Sequence, residues 1–201
     1  MWRLGYSLNV YRYLRTSMRD IHPRLGFIAT GAFQHAPWNS DRVGYVHYVY
    51  GRAYLPGISK HHSLRLSGGW QQKERKNVVL GSMLNFPRGY VNTYTEDFKI
   101  GTIDYSMPLC YPDWSLSYFV YLKRLSVNMF CDVAQNQYHV LNRSSNILIP
   151  HKDNLYSVGA DLLADVNLIR FAFPINLGLR TSYIPETGNF NHSLLLSVTF
   201  Y

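Results

Sequence analysis

Charge is what this chain has least of. Asp, Glu, Lys and Arg together make up 16% of its 201 residues, against about 25% in an ordinary soluble domain. The charge that is present leans to one sign: 20 Lys and Arg stand against 12 Asp and Glu, a formal net charge of +8. The basic residues are scattered singly, apart from the run QQKERK (Gln71–Lys76). They form no basic helix and no nucleic-acid motif, so nucleic acid is not an expected partner. Cysteine is nearly missing. Cys110 and Cys131 have no metal-ligand spacing and are too few for a disulfide framework, and a single disulfide between them stays open. No apolar run approaches the length of a membrane helix. The opening residues, MWRLGYSLNVYRYLR, contain neither the apolar core nor the small-residue cleavage site of a signal peptide. Phosphate loops, Ser-His-Asp arrangements and metal sets do not stand out. The adjacent pair His61-His62 would point to opposite faces of a strand and so could not clamp one metal. These absences lead to the expectation of a non-enzymatic protein with no metal and no cofactor.

What is abundant is aromatic residues, 15% of the chain with 17 Tyr, set in a period of two. That period is the mark of strands. Trp2, Leu4, Tyr6, Leu8 and Val10 alternate with Arg3, Gly5, Ser7 and Asn9. The same pattern returns in His62–Gln71, in Phe171–Arg180, and in Phe190–Tyr201. The expected strands are 2–15, 24–36, 43–55, 61–73, 97–109, 123–136, 155–168, 171–184 and 190–201. The segment 110–122 breaks the pattern, and Asp113 after Pro112 could cap a short helix there. Several of these strands exceed the usual length in globular sheets and match the ~9–11 residues of a tilted strand that crosses a bilayer.

The faces point to an all-β, antiparallel transmembrane barrel. A membrane barrel turns its apolar face to lipid and keeps polar residues inside. A sandwich buries apolar face against apolar face. Here one face carries Arg3, Arg65, Asp104, Asp132, Asn176 and Arg180 with many glycines and serines, which suits a wet or plugged interior. Tyrosines near the strand ends suit interfacial girdles. A soluble barrel or sandwich has the same period, and strand length together with the polar face favours the membrane. The expected loops also alternate in length. The links 37–42, 74–96, 137–154 and 185–189 would lie outside the cell, opposite short periplasmic turns. About nine strands are present, whereas single-chain bacterial barrels use even numbers. The chain therefore reads as the C-terminal part of a longer barrel protein, residues 1–201 forming one partial barrel domain. A miscounted eight- or ten-stranded barrel is the alternative.

The order of features resembles the C-terminal barrel half of the outer-membrane assembly-factor superfamily, which holds BamA, the bacterial surface antigens and the two-partner secretion transporters. Most of the chain would be covered, as the last nine strands of a sixteen-stranded barrel. RDIHPRLG (Arg19–Gly26) resembles the family's Arg-Asp…Pro…Gly signature, and FPRGY (Phe86–Tyr90) its Val-Arg-Gly-Phe/Tyr loop motif. IDYSMPL (Ile103–Leu109) is similar to the acidic-to-Phe-Pro segment, MFCDVA (Met129–Ala134) to the aromatic-x-Asp-x-Gly segment, and LLLSVTFY to the aromatic-ended terminal signal. Pro87 stands where the family has valine and Ala134 where it has glycine.

The resemblance implies that the long loop folds back into the lumen. Its motif, Pro87, Arg88, Gly89 and Tyr90, would then aim Arg88 at Asp132 and, second, at Asp104. The alternation agrees on direction. Asp104 lies opposite Ile103, Tyr105, Met107 and Leu109, and Asp132 opposite Val127, Met129, Cys131 and Val133. A planar, permanently charged guanidinium suits a carboxylate partner. Phe200 and Tyr201 would act as the C-terminal assembly signal read by the barrel assembly machinery. The expected location is the cell outer membrane, in contact with lipid and lipopolysaccharide, and the expected role is insertion or translocation of unfolded or secreted proteins. A passive or small-solute pore is one alternative. A soluble basic β-barrel or sandwich that binds a ligand is another.

Overall fold

The computed structural model describes residues 2–14, 17, 19–39, 41–78, 80–117, 120–142, 147–168 and 175–198. Ten strands form one antiparallel sheet: β1 (Leu4–Tyr13), β2 (Gly26–His35), β3 (Val46–Pro56), β4 (Ser63–Lys73), β5 (Asp97–Cys110), β6 (Trp114–Ser117), β7 (Val120–Asn142), β8 (Ile147–Leu168), β9 (Ile175–Ile184) and β10 (Asn189–Val198). A single 3-10 turn, Pro37–Asn39, is the only helical element among the described residues. Nine strands follow one another in sequence order from β1 to β10, with β6 set aside on β7. Strands next to each other along this path are thus also next to each other in the chain, apart from the short β6, the meander that period-two segments joined by polar links produce.

The sheet curls but does not close. β1 and β10 are its two ends, and β1 is exposed along both faces. Curvature follows from one cavity lined by both Thr30 of β2 and Arg180 of β9. Those strands are six steps apart in the sheet order, which would put them about 29 Å apart in a flat sheet. The result is an open trough with an inner and an outer face.

Register puts the polar set inside. Arg65 pairs with Asp104, Asp104 with Phe130, Phe130 with Gly159 and Asp161 with Arg180. Asp104, Asn128, Asp132, Asn136, Ser157 and Asp161 are buried. The outer face carries Val49, Leu66, Ile103, Met129, Val133, Leu162 and Leu179, all exposed. This is the reverse of an ordinary soluble protein, in which burial selects apolar side chains. Apolar side chains cluster on the inner face where loops pack onto the sheet: Ala36, Val43, Val46 and Leu80 in one group, and Leu84, Phe86, Phe98, Ala134 and Leu155 in another. Phe86 stacks on Phe98 there with ring centroids 4.6 Å apart.

Three expectations are corrected. Segment 110–122 contains no helix among its described residues: β5 runs to Cys110, Asp113 takes a positive φ of 47°, and β6 pairs back on β7. The described residues of 137–154 are not an irregular loop. β7 and β8 continue as a paired ladder out to Asn142 and Ile147, where the β-branched Val140, Ile147 and Ile149 favour strand. His61 and His62 precede β4 rather than lying in it, with His61 at a φ of 68°. They diverge, His61 Nδ1 to Asp20 Oδ1 at 2.6 Å and His62 Nδ1 to the Tyr105 hydroxyl at 2.8 Å. Cys110 and Cys131 are both free thiols. Phe200, Tyr201 and the link at 169–170 lie outside the described residues.

Candidate functional site

Loop 74–96 does not extend away from the sheet; it lies across the inner face. Gln71, fully buried on β4, starts the path: its Oε1 accepts from the amides of Met83 at 2.6 Å and Leu84 at 3.1 Å. Gly69 leaves room for this approach, since a Cβ there would lie 2.9 Å from Leu84 Cδ1. Pro87 is fully buried. The Tyr90 amide donates to the Pro87 carbonyl at 3.1 Å, closing a four-residue turn with Gly89 at φ 95°. A positive φ at the third position is the requirement of a type II turn, and glycine meets it without strain.

The turn delivers Arg88 to two carboxylates on neighbouring strands. Its Nη2 donates to Asp132 Oδ1 at 2.6 Å, and its Nε and backbone amide both donate to Asp132 Oδ2 at 2.9 Å. Its Nη1 donates to Asp104 Oδ1 at 2.6 Å. The guanidinium carbon sits 3.7 Å from the centroid of the Phe130 ring, within cation–π range. Burial by itself would lower the Arg88 pKa; the bonds to Asp132 and Asp104 outweigh it and hold the guanidinium above its ordinary value. With Asp132 committed to a bidentate fork and Asp104 shared between Arg88 and Arg65, whose Nη2 is 3.0 Å away, neither carboxylate is a free base. The chemistry of this arrangement is anchoring.

The pairing is part of a wider network than period and resemblance indicated. Asn128 Nδ2 bridges Asp104 at 3.1 Å and Asp161 at 3.3 Å. Arg180 Nε closes on Asp161 at 2.7 Å, and Arg124 pairs with Asp165. Asp161, Asp165 and Asn128 were not singled out from the sequence, and Phe130 entered only as the aromatic of the MFCDVA segment. Their signal was available in the alternation, since each falls on the same parity as Asp132 or its register partners. The far side of the turn is tied down too. Asn191 Nδ2 donates to the Gly89 carbonyl at 3.1 Å, and the Tyr90 hydroxyl donates to the Tyr156 carbonyl at 3.2 Å. A Cβ on Gly89 would meet Ser182 Oγ at 2.6 Å. The loop thus touches β4, β5, β7, β8, β9 and β10.

A second strap enters from the opposite end. In the β1–β2 connection, the Arg19 and Asp20 carbonyls accept from Arg124 Nη1 at 3.3 and 3.2 Å, and the Tyr111 hydroxyl donates to the Arg19 carbonyl at 3.0 Å. Burial, and then the nearby Arg65 guanidinium, push His22 down to about 4, so it is neutral near pH 7. Comparison of the chain with family models, with curated proteins and with solved structures finds no match to any of them.

Proposed function

We propose that this chain forms part of the wall of an outer-membrane β-barrel of the BamA-like surface-antigen type, acting in insertion or translocation of proteins at the outer membrane. The observation that carries the reading is the inversion of the faces: apolar side chains stand uncovered outside while charged ones are buried inside. Such an outer face is soluble only when lipid or another apolar surface meets it. Strands of ten and eleven residues are long enough for a tilted crossing. The two free edges, β1 and β10, fit a larger barrel whose remaining strands join them, sixteen in the resemblance.

The protein-handling part of the reading rests on the Arg88 loop. An inner-face loop with an Arg-Gly-Tyr tip held by wall aspartates is what the motif resemblance implies. Its partners would be outer-membrane lipid and lipopolysaccharide, the barrel assembly machinery, and unfolded or secreted polypeptides. A passive pore is the second reading, favoured by the cavities left on the inner face, one beside the Arg88 loop and one beside Ile21 and His22. Two measurements separate the readings. The chain, produced with whatever flanks it in its gene, should partition into outer-membrane fractions and need detergent for extraction; a detergent-free monomer ends the membrane reading. Depletion should then leave other barrels misassembled, whereas conductance in liposomes with normal assembly of other barrels assigns a pore.

A further inference from the structure

Arginines are the most frequent charged lining of the inner cavity, and one of them differs from the rest. The cavity, of about 510 Å³, is lined by Arg52, Arg65, Arg88 and Arg180. Three of these have carboxylate partners: Arg65 on Asp104, Arg88 on Asp104 and Asp132, Arg180 on Asp161. Arg52 has none among the described residues. Its hydrogen bonds go to two neutral phenols: Nε and Nη2 to the Tyr50 hydroxyl at 3.1 and 2.7 Å, and Nη1 to the Tyr54 hydroxyl at 3.4 Å. Those bonds orient the fork without neutralising it, and of the five N–H donors of a guanidinium they leave two unspent.

Hydroxyl donors flank that fork. Ser67 is the register partner of Arg52, and Thr102 is the register partner of Ser67. All three line the same cavity, and neither hydroxyl has a hydrogen-bond partner among the described residues. An unneutralised guanidinium in a part-buried site, with free O–H groups one and two strands away, is a donor set without an acceptor. Guanidinium forks favour phosphate and carboxylate over monatomic anions because two N–H groups meet two oxygens.

We propose that this cavity binds a small phosphate-class oxyanion, held by the Arg52 fork and assisted by the Ser67 and Thr102 hydroxyls. The space exceeds a bare phosphate, so the ion arrives either free or as the head group of a small phosphorylated molecule. The site does not depend on the outer face meeting lipid: a detergent-free monomer that binds phosphate would overturn the membrane reading and leave the site intact.

The test is calorimetric titration of the full chain with inorganic phosphate and, separately, with glycerol phosphate. Saturable binding is expected, weakened at least about tenfold in Arg52→Gln and less in Arg52→Lys, which keeps the charge and loses the fork. Arg12→Gln, on β1 and exposed, should bind as the native chain does. Tighter binding of glycerol phosphate than of phosphate assigns a head group; equal binding assigns the free ion. If Arg52→Gln fails to fold, the double variant Ser67→Ala/Thr102→Val reads the same site and should bind several-fold more weakly. Absence of saturable heat with both ligands, or native affinity in these variants, overturns the proposal.

Discussion

Two long connections leave the same end of the sheet, and they behave in opposite ways. Loop 74–96 folds inward and loses its regular structure; the β7–β8 hairpin keeps its ladder and projects outward. The sequence explains the split once both are seen. The loop holds Pro87, Gly81 and Gly89, which interrupt a ladder, and a cation whose carboxylate partners lie on the wall. The projecting hairpin offers Val140, Ile147 and Ile149, which extend a ladder, and its Tyr138 and His151 lie ring to ring, 5.3 Å apart, across the pair. A connection turns inward here when charge gives it a destination, and its length alone does not decide that.

The contrast can be broken from the loop side first. Arg88→Asp places a third carboxylate beside two buried ones, and Asp132→Arg reverses the other member. Each single change should lower stability by about 3–5 kcal/mol, read as a lower temperature of β-sheet loss in circular dichroism. Making both changes should recover part of the loss. A double variant no more heat-stable than either single one removes the pair as the anchor.

Next comes the turn itself. Gly89→Ala forces a side chain into a positive φ of 95° and against Ser182 Oγ, a strain of about 1–3 kcal/mol. Protease cleavage within 82–92 should quicken. Gly188→Ala is the control, since that glycine also has a positive φ but open space around its Cβ position; it should have the smaller effect and leave loop cleavage unchanged.

A weaker link joins the two connections. Glu96 Oε2 lies 2.6 Å from His139 Nδ1, and Arg75 Nη1 is 3.7 Å from Glu96 Oε1. Tyr94 bonds the same carboxylate, and burial with the Glu96 charge pushes its hydroxyl up to about 12. Burial tends to raise Glu96, but His139 outweighs it and the carboxyl ends below its ordinary 4.5. A depressed folded pKa means that this contribution is present above pH 4.5 and is lost as pH falls through the folded value. With His139 largely exposed, the link contributes below about 1 kcal/mol. His139→Ala should flatten the acid side of the stability profile slightly; an unchanged profile would place the link outside the stability of the fold. Smallest of all, replacing 140–149 by a tight turn should leave thermal stability within error, because the described side chains there, Val140, Leu141, Ile147, Leu148 and Ile149, are exposed. A large drop would show that the projecting hairpin is bound to something that stabilises the fold.

Strand existence and facing were legible because alternation is local and one face is charged. The inward parity of Asp104 and Asp132 followed from Ile103–Leu109 and Val127–Val133 alone. The extension of β7 and β8 was not legible. Asn142 and Pro150 look like loop residues, and only pairing with a neighbouring strand outweighs their weak local preference. The 110–122 segment misled for a related reason: Asp113 after Pro112 reads as a helix cap, yet its neighbours found strand partners on β7.

A strand list, a charged face and the direction of two aspartates are therefore properties of neighbouring residues, set by a two-residue repeat that needs no distant partner. The meeting of Arg88 with both aspartates, its seat on Phe130, the bridge through Asn128 to Asp161 and the unneutralised state of Arg52 are not. They depend on how far the sheet curls and on which groups the loop meets as it crosses, and those distances arise only when strands remote in the chain are laid side by side.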